Sequence, residues 1–147
     1  MKYLVLLTVF HFISSSYIDT NMYFKERIEL QNSSWKLDGK CLESEKEEGF
    51  ILNPCSESKL ADVASRWGHY ISFTENTFQT SYRAPCGVDC FTSVSGTYFW
   101  VGRNKIEFFV SKISRGKYCS QTSETPNKSF GIYELKTNGE RIILKRV

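Results

Sequence analysis

Five cysteines, Cys41, Cys55, Cys86, Cys90 and Cys119, together with His69, are the residues of this chain best suited by type to do chemistry. In an oxidising compartment such a set reads as disulfides, and an odd count leaves one thiol free or bonded between chains. Cys86 and Cys90 bracket Gly87-Val88-Asp89 and form the pair most expected. Cys41 and Cys55 bracket a charged loop and would close it, which leaves Cys119 over; alternatively Cys119 takes Cys41 or Cys55 and joins distant segments. Two bridges and one free thiol are the expectation. The competing chemistry is a metal, since zinc sites set cysteine pairs two to four residues apart, twice over. Cys86-x3-Cys90 supplies one half and no second pair follows, so a site would have to gather Cys86, Cys90, Cys119 and His69. A redox pair asks for CxxC at the start of a helix, and here the spacing is CxxxC with no evident helix.

Other catalytic constellations are not legible. There is no Gly-x-Ser-x-Gly elbow, and Ser95-Gly96 lacks its context. No glycine-rich phosphate loop follows a strand. Glu45, Glu47 and Glu48 sit in the charge run Glu43–Glu48, which reads as a solvated loop, and His69, between Gly68 and Tyr70, reads as a junction residue. No catalytic residue, metal or cofactor is assigned. The chain reads as a non-enzyme, with a metal- or thiol-dependent enzyme as the rival.

The elements that must position these residues begin with a targeting segment. Lys2 is followed by an apolar run, Tyr3–Ile13, and then by Ser14, Ser15 and Ser16, the pattern of a secretory leader. Residues 1–16 are therefore expected to be a signal peptide, 17–33 an N-terminal arm and 34–147 one domain, secreted or periplasmic. The 147 residues carry 19 Lys plus Arg against 16 Asp plus Glu. Removing the leader takes one Lys and no acid, leaving 18 against 16, or +2. That balance, with the leader and the cysteines, argues against a nucleic-acid partner, although Arg103, Lys105, Lys112, Arg115, Lys117, Arg141, Lys145 and Arg146 form basic clusters. After the leader no apolar run reaches the roughly 20 residues of a membrane helix.

Period-two patterning gives seven or eight short strands, at 35–37, 50–52, 70–73, 78–82, 95–101, 105–110, 130–135 and 141–147. Asn138-Gly139 is the strongest hairpin-turn signal. Leu60, Val63, Ala64 and Trp67 share one face at helical spacing, so a helix is expected over 57–67, with Gly68 ending it. The expected fold is mostly β: an antiparallel meander or small lipocalin-like barrel with one short helix plugging an end.

Three stretches carry a resemblance. They are Trp35-Lys36-Leu37 with Gly39; Ile71-Ser72-Phe73 and Phe78 followed by a cysteine-containing bend and Ser95-Gly96-Thr97-Tyr98; and Gly102–Phe108 with Glu140–Leu144 at the end. Over residues 34–147 this order resembles small exported META-domain and lipocalin-like barrel proteins. Where the META type has a Gly-Cys-Asn bend, this chain has Pro85-Cys86-Gly87-Val88-Asp89-Cys90-Phe91. The resemblance implies an exported barrel and assigns no activity, because fold does not carry function.

Aromatics are 15% of the chain and suit either a calyx or a solid core. Around the turn at 102–104, Tyr98 and Trp100 share one face and Thr97, Phe99 and Val101 the other. Two apolar faces call for core on one side and cover on the other. Tyr98, Trp100, Arg103 and Lys105 are the candidate binding surface. The expected function is an exported, non-catalytic binding or interaction protein. A protein partner is favoured, and a small hydrophobic-ligand carrier and a structural envelope component stand as alternatives. Two glycosylation sequons, Asn32-Ser33-Ser34 and Asn127-Lys128-Ser129, matter only in a eukaryotic secretory pathway.

Overall fold

The computed structural model describes residues 30–39, 42–55, 66–86 and 88–147. They form eight strands: β1 (Ser33–Leu37), β2 (Gly49–Pro54), β3 (Gly68–Phe73), β4 (Thr77–Arg83), β5 (Thr92–Trp100), β6 (Lys105–Arg115), β7 (Lys128–Asn138) and β8 (Arg141–Arg146). All neighbours pair antiparallel, and the sheet closes into a barrel in the order β1-β2-β8-β7-β6-β5-β4-β3. The order is not a simple meander. β1 lies between β2 and β3, pairing Leu37 with Leu52 on one side and with His69 on the other, and β2 pairs with β8. One end of the barrel carries the β3–β4, β5–β6 and β7–β8 turns. The other carries the β1–β2, β4–β5 and β6–β7 loops.

The expected helix is a correction. The architecture is an eight-stranded antiparallel barrel with no helical element among the described residues, where one short helix was expected. Residues 57–65 of that expectation lie outside the described residues. Trp67 is exposed and non-helical, and Gly68 opens β3 instead of ending a helix. Trp67, the last residue of the expected helical face, is followed at once by the β3–β4 ladder, which begins with Gly68 opposite Arg83, so strand pairing overrides the helical spacing at that end. The leader 1–16 and most of the arm 17–33 also lie outside the described residues.

The strands form where alternation puts one apolar set inward. Phe50, Leu52, Ile71, Phe73, Phe78, Val94, Tyr98, Ile106, Phe108 and Val110 alternate with outward residues and merge into one core. Phe108 is its hub. Its ring meets Phe78 edge-on at 5.0 Å and Tyr133 at 5.6 Å, and lies 6.0 Å from Phe50 and 6.4 Å from Phe73. These rings come from strands around the whole barrel and meet across its interior. Tilted and edge-on arrangements suit ring quadrupoles and add to the area buried. Leu30 enters the core ahead of β1, and Leu42 enters it from the β1–β2 loop; both are fully buried.

Local departures from the ladder have identifiable causes. β5 and β6 slip by one residue between Ser95 and Gly96, so Ser95 faces Lys112 while Gly96 faces Val110. Ser111 is the extra residue of this bulge, and its hydroxyl donates to the Ser95 carbonyl at 3.0 Å. β4 and β5 pair only over Thr77–Gln79 and Ser95–Thr97. Beyond that, the buried Thr80 hydroxyl takes over and accepts the Val94 N–H at 2.8 Å. The β7–β8 hairpin turns on Gly139-Glu140, one residue past Asn138-Gly139. Asn138 pairs with Arg141, and Gly139 takes the positive φ of 62° that a first turn position of type II′ requires.

The disulfide is a second correction. Cys90 is bonded to Cys119, not to Cys86, with a sequence separation of 29. The bond joins the β4–β5 loop to the β6–β7 loop at the same end of the barrel. Among the described residues Cys55 and Cys86 carry free thiols. Cys41 lies outside the described residues. Two loops brought together by their strands are spatial neighbours in a way that spacing along the chain does not record.

Candidate interaction surface

The β5–β6 hairpin organises the residues proposed for binding, and its two faces are the reverse of the expectation. Tyr98 is only 3% exposed. It packs edge-on against Phe73 at 5.3 Å, and its hydroxyl donates to the carbonyls of Thr74 and Glu75 at 3.0 and 3.2 Å. Tyr98 therefore belongs to the core and pins the β3–β4 turn. Trp100, on the same face, is half-buried against the core. The outer face is made by the other parity. Phe99 is 51% exposed, Val101 47% and Phe109 36%.

Register places these three together. Phe99 stands opposite Glu107, and Phe109 stands opposite Thr97, so Phe99 and Phe109 are diagonal neighbours on the same face. Glu107 is flanked on its other side by the half-buried Ile132 of β7. Val101 closes the turn, its N–H donating to the Lys105 carbonyl at 3.0 Å. Arg103 and Lys105 are exposed in and after that turn. Of the four residues expected at the surface, Arg103 and Lys105 border the apolar strip, Trp100 lies half-buried on the inner face, and Tyr98 is buried. Phe99, Val101 and Phe109 were visible as aromatic and apolar positions, but alternation alone does not say which parity faces out.

The other candidates are placed apart. His69 sits near the opposite end of the barrel and stacks on Tyr82 at 4.6 Å, with Phe91 5.7 Å beyond Tyr82. With Cys90 and Cys119 joined, neither offers a thiolate, so the set Cys86, Cys90, Cys119 and His69 is not a thiolate cluster. Among the described residues no group of three or more His, Cys, Asp or Glu could hold a metal ion. The basic clusters are divided as well. Arg115 has a side chain only 6% exposed and pairs with Glu124 at 2.7 Å, while Arg146 lies against Gly131 on the barrel wall.

Two other groups have shifted protonation. On the outer face of β3, Tyr70 is buried under the Arg83 guanidinium, 4.7 Å from its ring, and donates to the Arg66 carbonyl at 2.9 Å. Burial raises the Tyr70 phenol, with Arg83 opposing. Burial also pushes the Cys55 thiol up, against the lowering effect of Arg83 and Lys36. Both effects favour the uncharged forms, so this corner offers no activated nucleophile.

Compared with protein-family models, with curated proteins and with solved structures, the chain matches none. Among the described residues no helix is long and apolar enough to cross a membrane.

Proposed function

We propose that this chain is an exported, non-catalytic barrel protein that binds a protein partner through the outer face of β5 and β6. The observation that carries this reading is the exposed strip of Phe99, Val101 and Phe109 on a barrel whose interior already holds the rings of Phe50, Phe73, Phe78, Phe108 and Tyr133. Exposed aromatics on a sheet face are a cost that binding offsets, and aromatic anchors dominate interface energetics. Arg103 and Lys105 at the edge of the strip match a partner with an apolar centre and an acidic rim. Export rests on the leader pattern at residues 1–16 and agrees with the Cys90–Cys119 bond. The likeness to META-domain and lipocalin-like proteins belongs to this proposal too, supported by the eight-stranded antiparallel barrel. The carrier reading is less favoured because aromatic rings meet where a ligand would sit.

Photo-cross-linking from position 99, in fluid from the producing organism, tests the reading. One acidic-rimmed protein should be captured, and the double variant F99S/F109S should lose it while keeping the wild-type unfolding transition. A hydrophobic small molecule co-purifying one to one, with no protein captured, overturns the reading in favour of a carrier.

A further inference from the structure

Two asparagines share an uncommon combination of sequence and backbone. The described non-glycine residues with positive φ are Asn32 at 56°, Leu42 at 57° and Asn127 at 46°. Both asparagines in this set begin an Asn-x-Ser triplet, Asn32-Ser33-Ser34 and Asn127-Lys128-Ser129. Left-handed backbone costs asparagine little and takes the residue out of the strand direction, so each stands at a bend just ahead of a strand, β1 or β7. Both are exposed. By contrast, Asn53 and Asn104 are half-buried, and their amides donate to the Lys36 carbonyl and to Glu134.

We infer that Asn32 and Asn127 are N-glycosylation sites, an inference that rests on the export reading. The donor is a lipid-linked oligosaccharide diphosphate. The Asn Nδ2 attacks the anomeric carbon of the first sugar. A carbon–nitrogen bond forms, the bond from that carbon to the diphosphate oxygen breaks, the lipid diphosphate leaves, and one amide proton is released. No oxidant or reductant is needed. In the folded barrel the two sequon hydroxyls are already engaged. Ser34 meets the Ser72 hydroxyl at 2.8 Å, and Ser129 accepts the Gly131 N–H at 3.2 Å. Both serines and both asparagines remain at the surface, so the fold leaves the two products in solvent. Asn32 stands at the hairpin-turn end, three strands round from β5, and Asn127 at the opposite end from Phe99 and Val101. The Asn32 glycan thus stands away from the apolar strip, whereas Asn127 lies two residues before Ser129, the pairing partner of Phe109, and its glycan borders that end of the strip.

The full chain, leader included, is to be expressed in eukaryotic secretory cells and also isolated from the producing organism. Peptide N-glycosidase should collapse the secreted protein in two steps and convert Asn32 and Asn127 to aspartate. N32Q and S34A should each remove one step, N127Q and S129A the other, and S34T and S129T should retain both. N-terminal sequencing of the secreted chain, beginning between residues 14 and 17, reads export independently. A secreted chain with both asparagines unmodified overturns glycosylation and leaves export standing. A chain retained inside the cell with its leader uncut overturns both.

Discussion

A Cβ built on Gly96 would stand 1.9 Å from the carbonyl oxygen of Phe109 and 3.1 Å from the ring of Phe78. The bulge at Ser111 pulls the β6 backbone over this point of β5, and only a residue without a side chain fits beneath it. The neighbour is backbone, so it cannot give way as a flexible side chain would. Gly96→Ala should destabilise the barrel by at least the upper end of the roughly 1–3 kcal/mol typical of overpacking. Urea unfolding should show a lower midpoint with an unchanged slope. An unchanged midpoint would mean that the bulge relaxes freely.

The Cys90–Cys119 bond closes a segment with a sequence separation of 29. In the chain-entropy picture a loop of that size contributes about 3.5 kcal/mol through the unfolded state. Cys119→Ser should lower stability by about that amount without changing the far-ultraviolet spectrum. In the native protein, iodoacetamide should modify the exposed Cys86 well before Cys55, whose thiol is half-buried and held protonated by burial. Peptide mapping over time reads the order. Alkylation of Cys90 or Cys119 without reductant would contradict the bond.

Thr80 bridges a gap in the wall. Its hydroxyl is the acceptor for the buried Val94 N–H, where β4 and β5 no longer pair. Thr80→Val keeps the shape and removes the acceptor, so a buried donor is left unpaired at a cost of about 1–3 kcal/mol. Hydrogen exchange should show the Val94 amide losing protection by more than its neighbours in β5. Equal loss along the strand would point to a packing effect instead.

Glu47 gives the β1–β2 loop a pH dependence. Burial pushes its carboxyl above the usual glutamate range, against the lowering effect of amide hydrogen bonds from Leu42, Glu43 and Ser44. The folded chain then holds this proton to a higher pH than the unfolded chain does. Folding takes up a proton between the two values, so this contribution is full below the window and declines as pH rises through it. Measured between about pH 4 and pH 7, the stability of the wild type relative to Glu47→Gln should fall as pH rises. A difference that rises instead would show that the amide hydrogen bonds outweigh burial.

Much of the barrel is legible in the sequence because its strands alternate. All eight have counterparts in period-two stretches, and Phe108 and Val110 mark an inner face without ambiguity. β6 runs on to Arg115 because Ser111 shifts the phase, and a phase shift breaks the pattern that announces a strand. The neighbours of β1 were not legible, since registry with β3 depends on the closed sheet and not on adjacency in the chain. At the candidate surface both faces of β5 are apolar, so period two identifies two faces without saying which one water sees. Leu30 and Leu42 were not legible as core because neither lies in a strand: Leu30 precedes β1 and Leu42 sits in the β1–β2 loop, so no strand alternation marks them as inward. The Cys90–Cys119 pairing was hidden for the same reason as the β1 register: it is a property of which loops share an end.

The position of β1 between β2 and β3 makes the first hairpin a separable stave. Strands β3 to β8 are joined in sequence, each to the next, and form a continuous six-stranded ribbon whose two free edges are β3 and β8. The β1–β2 hairpin bridges those edges, with Ser33–Leu37 on β3 and Gly49–Leu52 on β8. A fragment beginning near residue 66 would thus present two unsatisfied edges that one short peptide, residues 30–55, is shaped to complete. Split-protein reconstitution at the β2–β3 junction is the natural use of such an arrangement. The same two edges, if exposed together in a slow-folding chain, are where one molecule would accept the hairpin of another and exchange it.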